Sequence, residues 1–576
     1  MLHKWIINNL NEKEELCKNE LSQKLRISPA LCTLLVQRGI TTIEEANNFF
    51  FPKLKEIHDP FLLNDMDKAV ERLNAALGNR EKILVYGDYD VDGTTAVALV
   101  YNFLQQCTSN IDFYIPDRND EGYGVSYKGI DYAAENSFSL IIVLDCGIKA
   151  IEKVSYAKEK GIDIIICDHH TPDDALPDAV AVLDPKRTDS TYPYGHLSGC
   201  GVGFKLMQAF AINNNIPMEK LFSLLDLLAV SIASDIVPIT GENRTLMHYG
   251  LKRLNSNPSI GLKAIIDVCD LKGKEITTSD IVFKIGPRIN ASGRMSSGKE
   301  AVELLVAKDY TSAKEKSDLI DNYNKTRKDL DKQATDEAHK EILKLKNLGD
   351  KSSIVVYNQE WNKGVIGIVA SRLSEQYFKP AVVLTLSNGM ATGSARSIAG
   401  FDLYKAIDSC RDLLENFGGH IYAAGLTLKL ENVKEFKERF ERYVSENITD
   451  EQKIPQIDID TELSLNEIND SFFDRLGLFA PYGPENTKPV FVTFNVIDAG
   501  GCKLVGLDQK HLKLDVCTPE SRYTRCSGIA FNVEDPQKCI EHIKNKRPFN
   551  ICYTLEENNF NGKKSIQLMV KDIQLT

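Results

Sequence analysis

At 576 residues the chain is too long for a single hydrophobic core and implies several domains. Its 43% hydrophobic and 26% charged residues exclude a largely disordered polypeptide, and no run reaches the roughly 18 apolar residues a membrane helix needs. A net charge of −12 excludes a basic surface spread over the whole molecule, although not a local cationic groove.

The first 75 residues read as a helical segment. Its opening, MLHKWIINNLNEKEELCKNE, places acidic and amide residues where a signal peptide needs an apolar stretch, so a cytoplasmic protein is expected. The 13 cysteines are odd in number and contain no C-x-x-C pair, which suits reduced thiols packed as small hydrophobes. A catalytic domain is expected over 76–297. From Lys82 to about Pro185, the runs KILVY, IDFYIP, SLIIVLD, IDIIICD and AVAVLD alternate with helical segments, the signature of a parallel sheet covered on both faces. Four of these strands end in aspartate: Asp88, Asp145, Asp168 and Asp184. Ligands of open α/β sheets bind at the carboxyl ends of the strands, so these side chains are placed to meet on one rim.

Residues 186–295 read as mostly helical. The stretch 298–350, charged and free of proline and of glycine for most of its length, predicts one or two long helices forming a solvent-exposed connector. A second α/β unit is expected over 351–450, with SSIVVY and PAVVLTL as strands and IGIVASRLSEQY as a helix. Over 451–576, about five short strand-like runs predict a small OB-like β-barrel. The fold class is thus multidomain α/β with a C-terminal barrel.

Asp88, Asp90 and Asp92 stand within five residues at the end of a strand, in GDYDVDG, and would repel one another unless a cation neutralises them. A solvated acidic turn is the plain structural alternative. Cys167-Asp168-His169-His170 adds two imidazoles, and Asp145 ends the strand between the two elements. Asp235 lies inside the apolar run LLAVSIASDIVPI, where an unpaired charge would be costly. A mixed carboxylate and imidazole set favours Mn²⁺ or Mg²⁺ over zinc, and four or more carboxylates suggest two ions, the usual device for in-line attack on a phosphate ester.

GDYDVDG, VLDCG, CDHHTP and SDIVPI, in this order and spacing, resemble the motifs of the DHH phosphoesterase superfamily, and GPRINASGRM, WNKGVIGIVASRL, GSARS and GGHIYAAG extend the resemblance to its single-strand-specific exonuclease branch. The resemblance implies that Asp90, Asp92, Asp145, His169 and Asp235 bind two divalent ions, Mn²⁺ or Mg²⁺, with Asp145 bridging. It places Asp88 as a further ligand, His170 as a ligand or phosphate contact, and Asp168 as the group that orients an imidazole. Substrate contacts would come from Arg288 and Asn290 near the centre, and from Arg372, Ser394, Arg396, Gly418, Gly419 and His420 in the second α/β unit. Tyr86 and Asn362 depart from histidines found in some relatives. The implied activity is 5′–3′ hydrolysis of single-stranded DNA to mononucleotides in repair and recombination, with a single-strand-binding protein and a helicase as collaborators and no membrane association. Short oligonucleotides or cyclic dinucleotides are the alternative substrates.

Overall fold

The computed structural model describes residues 3–118, 120–344, 351–560 and 562–576. Its contacts divide the chain into two units, one made of 54–453 and one made of 1–53 together with 454–576.

In the larger unit, five parallel strands form the first sheet. Their spatial order is Ile111–Tyr114, Lys82–Gly87, Phe138–Leu144, Asp163–Cys167 and Ala181–Leu183. The chain starts at the second position, steps to one edge and then crosses back to the other side. The switch therefore falls between Lys82–Gly87 and Phe138–Leu144, where a crevice opens beyond the carboxyl ends of the strands. Both strands are almost wholly apolar and buried, because helices cover both faces. Val91–Leu104 and Leu225–Ser234 pack on one side, and Tyr127–Glu135 and Ile151–Glu159 on the other.

The charged connector is the helix Gly298–Leu305 followed by Tyr310–Leu343, the latter about 50 Å long at 1.5 Å per residue. Its last expected residues, 345–350, lie outside the described residues. The expectation of a solvent-exposed rod is corrected here: Ala313, Ser317, Ile320, Asn324, Arg327, Asp331, Ala334, Ala338 and Ile342 form a buried stripe at steps of three or four. Alanine, polar and charged residues outnumber the two isoleucines in that stripe, so its apolar signature in the sequence is weak.

A second sheet follows in the order Leu414–Gly419, Ala423–Leu428, Met390–Arg396, Ala381–Ser387 and Ile354–Tyr357. Only its last pair is parallel. The helix Ile366–Tyr377 packs against Ala381–Ser387 and Met390–Arg396.

In the smaller unit, Phe491–Asp498, Phe549–Phe560, Lys563–Leu575, Ser521–Ala530 and His511–Thr518 pair in that order, and the last pairs back to the first, closing a five-stranded barrel. The N-terminal residues belong to the same unit. Lys4–Ile7 pairs in parallel with Gln456–Ile459, and Leu31, Leu34 and Leu35 share one core with Phe479, Phe491 and Tyr553 of the barrel unit. Among the described residues no helix is long and apolar enough to cross a membrane.

Candidate active site

Three carboxylates follow Lys82–Gly87 directly. Asp90 caps the helix Val91–Leu104, its Oδ1 accepting the Gly93 amide at 3.0 Å. Asp92 lies inside the first turn of that helix, where three hydrogen bonds fix its carboxylate: from the Gly199 amide (2.6 Å), the Cys200 amide (2.9 Å) and the Ser231 hydroxyl (2.6 Å). Asp88 is more isolated. Its Oδ1 accepts the Gly124 amide at 3.3 Å, while its buried Oδ2 has no partner among the described residues.

The neighbouring strands deliver the rest. Asp145 ends Phe138–Leu144 in a left-handed conformation, φ 60°, and its backbone packs so closely on Gly199 that a Cβ there would stand 2.5 Å from the aspartate side chain. His169 points its Nε2 at three carboxylates: Asp145 Oδ1 at 3.2 Å, Asp235 Oδ2 at 3.6 Å and Asp92 Oδ2 at 3.8 Å. Its Nδ1 faces the Leu197 carbonyl at 3.0 Å and therefore carries the proton, which leaves the Nε2 lone pair toward the carboxylates with no hydrogen-bond partner. Asp235 ends the helix Leu225–Ser234. The next residue, Ile236, is β-branched at φ 59°, a strained backbone of the kind that clusters at functional sites.

Asp88, Asp92, Asp145 and His169 are each at most 5% exposed, so their charges are poorly solvated. Burial and then the Asp92 charge raise the Asp235 carboxyl to about 9, and burial and then Asp90 raise Asp88 to about 8. Asp145 and Asp90 are raised for the same reasons, burial first and Asp92 second. Burial lowers His169. Asp168 differs. Although its burial opposes ionisation, hydrogen bonding and charge from His170 hold its carboxyl below the usual range. Asp184, at the end of the adjacent strand, is buried against the Lys186 amide and raised to about 7, first by burial. Two sets of donor atoms lie close enough to share an ion: Asp92, His169 and Asp235, and Asp145, His169 and His170. Asp88 and Asp90 fall outside both sets.

A cationic cavity of about 480 Å³ lies in the same unit, lined by Arg118, Arg294, Lys363, Ser394, Arg396, Phe417 and Gly418 among others. Arg294 donates to the Gly364 carbonyl at 2.9 Å, and burial together with Arg118, Arg327 and Arg396 depresses its pKa to about 10. Burial also lowers Arg396, which donates to Ser394 Oγ at 3.0 Å. Three guanidiniums with no ion-paired carboxylate among the described residues give this cavity the chemistry to hold an anion.

Of the residues expected to contact substrate, Ser394, Arg396 and Gly418 line the cavity. Gly419 and exposed His420 follow Gly418 without lining it. Arg288 is paired with Asp321 at 2.8 Å and with the Lys284 carbonyl, and Arg372 with buried Asp331 at 2.7 Å. Asn290 is half-buried on the helix Gly286–Met295. Arg118 and Lys363 were not singled out in the sequence, and neither was Arg294, although it stands inside GPRINASGRM. Tyr86 is buried, its hydroxyl donating to the Gly124 carbonyl at 3.0 Å, so it supports the sheet and is not a ligand. Asn362 caps a turn by accepting the Gly364 amide.

Family models match in three places: the DHH family N-terminal domain over 82–232, the DHHA1 domain over 350–446 and the RecJ OB domain over 459–572. The single-stranded-DNA-specific exonuclease RecJ of Bacillus subtilis is 38% identical over 554 residues, covering 96% of this chain and 69% of that protein. The chain belongs to the RecJ family. The RecJ of Haemophilus influenzae is 32% identical, with 95% of this chain and 96% of the relative covered. Among solved structures, RecJ of Thermus thermophilus in complex with Mn²⁺ shares the fold over the whole chain and 80% of its own, with a TM-score of 0.83 at 24% identity. An exonuclease RecJ bound to manganese matches at 31% identity and TM-score 0.58 over 67% of this chain and 96% of its own. The parallel sheet, the second α/β domain and the barrel are thus the domains of the RecJ fold.

Proposed function

We propose that this RecJ-family chain is a metal-dependent exonuclease that removes mononucleotides from the 5′ end of single-stranded DNA. The observation that carries the chemistry is the His169 Nε2 lone pair, buried and unpartnered, facing Asp92, Asp145 and Asp235 within 3.2–3.8 Å. An acidic cluster this dry is stable only when protonated or neutralised by cations, and its oxygen and imidazole donors suit Mn²⁺ or Mg²⁺. Asp92, Asp145, His169, His170 and Asp235 would hold the ions, with Asp88 and Asp90 available as further ligands. When bound, two such ions activate water for in-line attack and offset the charge that develops on the phosphate.

The protein's own residues supply position. Asp168 holds His170, and the amides of Gly199 and Cys200 hold Asp92. The cationic cavity would take the terminal 5′-phosphate on Arg118, Arg294, Ser394 and Arg396, with Gly418 allowing close approach. A cationic cavity in the same unit as the acidic centre supports binding of the strand by a phosphorylated end, and the 5′ polarity follows from the family resemblance alone. Arg288, Asn290, Arg372, Gly419 and His420 would flank the strand farther along. The domain division proposed is catalytic 76–297, joined by 54–75 whose Leu63, Met66, Val70 and Leu73 lie in the same core, connector 298–350, terminal-nucleotide binding 351–450 and strand binding by the barrel from 451, with residues 1–53 supporting the barrel. OB barrels hold single strands by stacking and backbone contacts, which supports the last assignment. A cytoplasmic role beside a single-strand-binding protein and a helicase belongs to the same reading, consistent with 13 unpaired thiols.

The test is release of nucleotides from 5′- and 3′-labelled single-stranded and duplex DNA, with Mn²⁺, Mg²⁺ or chelator. Metal-dependent release from the 5′ end of single strands is expected. Inactivity on long strands with turnover of di- to pentanucleotides or cyclic dinucleotides would overturn the assigned substrate.

A further inference from the structure

Tyr89 stands between Asp88 and Asp90 at the end of the strand Lys82–Gly87, yet its ring serves the other site. The Arg118 guanidinium lies over the Tyr89 ring, 5.2 Å from the centroid, and Arg118 lines the cationic cavity. Among the described residues Arg118 makes no ion pair or hydrogen bond. It also shares its surroundings with Arg294, whose charge repels it. Beyond the attraction of the Asp88 charge, the aromatic face is the direct contact among the described residues that keeps this guanidinium at the cavity. The ring is itself fixed. Tyr123 meets it edge-on at 6.4 Å, and Gly293, one residue before Arg294, packs so tightly that a Cβ there would come within 2.7 Å of the Tyr89 carbonyl. Tyr123 in turn reaches the acidic centre, donating to the Asp145 carbonyl at 3.0 Å. The Tyr89 hydroxyl has no hydrogen bond among the described residues, so the face of the ring is its working part.

We infer that Tyr89 is a positioning residue that holds Arg118 for the terminal phosphate and so sets the preference for 5′-phosphorylated over 5′-hydroxyl strands. The inference rests on reading the cavity as the terminal-phosphate site. Because Tyr89 sits in the same short segment as Asp88 and Asp90, it also fixes the offset between that phosphate and the hydrolytic centre.

The experiment measures kcat and KM on 5′-phosphoryl and 5′-hydroxyl single strands at saturating Mn²⁺, for the full chain and for Arg118→Ala, Tyr89→Phe, Tyr89→Leu and the Arg118→Ala/Tyr89→Leu double variant. Arg118→Ala is expected to cut the phosphoryl preference at least about tenfold, through loss of a charge-assisted contact. Tyr89→Leu is expected to cut it about five- to tenfold through KM, and to add nothing further in the Arg118→Ala background. Tyr89→Phe should stay within about twofold of the unaltered chain. Turnover of 5′-hydroxyl strands reports separately that the folded centre is intact. Additive effects of the two substitutions on the preference, or a Tyr89→Phe loss equal to that of Tyr89→Leu, would overturn the inference while leaving the cavity assignment standing. An Arg118→Ala variant with undiminished phosphoryl preference would instead overturn the cavity assignment, and the inference with it.

Discussion

Asp168 Oδ1 lies 2.7 Å from His170 Nδ1 and accepts the backbone amides of His169 (2.7 Å) and His170 (3.1 Å), so a single buried oxygen fixes both adjacent histidines. Its second oxygen is held by the Ile148 amide at 2.9 Å. An ionised Asp168 thus orients the His170 ring and directs its Nε2 toward Tyr123 and the centre. Asp168→Asn keeps the shape but removes the charge and one acceptor. It is expected to weaken Mn²⁺ binding about 10- to 100-fold, with catalysis partly restored at high Mn²⁺. Metal titration followed by calorimetry checks this, and unchanged affinity would show that Asp168 acts on folding alone.

The raised carboxyls predict how metal and pH interact. An unfolded aspartate titrates near about 3.9, whereas Asp88 and Asp235 in the folded, metal-free protein titrate at about 8 and about 9, chiefly because they are buried. The folded state therefore holds protons that the unfolded chain has released. The stability these groups contribute is fully present below about pH 4 and is lost as pH rises through their folded values. Divalent cations replace those protons, so their stabilising effect grows over the same window. In chelator the thermal midpoint should fall between about pH 6.5 and 8.5, and Mg²⁺ should reduce or reverse that fall. A metal-free midpoint that climbs steadily through this range would contradict the electrostatic description.

Truncations should respect the split unit. The helix Pro29–Gln37 buries Leu31, Leu34 and Leu35 in the core that also contains Phe479 and the barrel residue Phe491, and each such leucine is worth about 1.5–3 kcal/mol when buried. Deleting 454–576 alone strips these side chains of their cover. That variant is expected to aggregate, whereas the 54–453 piece, which has cores of its own, should stay monomeric. The 54–453 piece should hydrolyse short oligonucleotides while binding long single strands about tenfold or more weakly. Size-exclusion chromatography and strand binding test both statements. Equal behaviour of the two truncations would sink the shared-core argument.

The centre was legible because its chemistry is local in sequence. Asp88, Asp145 and Asp168 each follow a continuous apolar strand, and parallel topology alone brings such ends together. Asp235 stood out as a charge inside an apolar run. What escaped notice depends on distant partners. Arg288 and Arg372 look like free cations in the sequence, but Asp321 and Asp331, on a helix of a different segment, pair with them. Arg118 lies in the polar loop DRNDEGYG, with no periodicity or glycine pattern to mark it, and only the fold carries it to the cavity. Parallel pairing of Lys4–Ile7 with Gln456–Ile459 joins residues some 450 positions apart, which no local pattern encodes.

The centre and the strand-binding surfaces are separable, and Asp145→Ala separates them most directly. The measurement is single-strand affinity and nucleotide release on the same preparation of this variant, with Mn²⁺ present. Asp145 touches His169 and lies within the charge of Asp92, Asp90 and Asp235, while the cationic cavity is built from other residues. Release should fall about a thousandfold or more, with affinity for single strands within about threefold of the unaltered chain. Near-normal release from Asp145→Ala would contradict the assignment of hydrolysis to this centre.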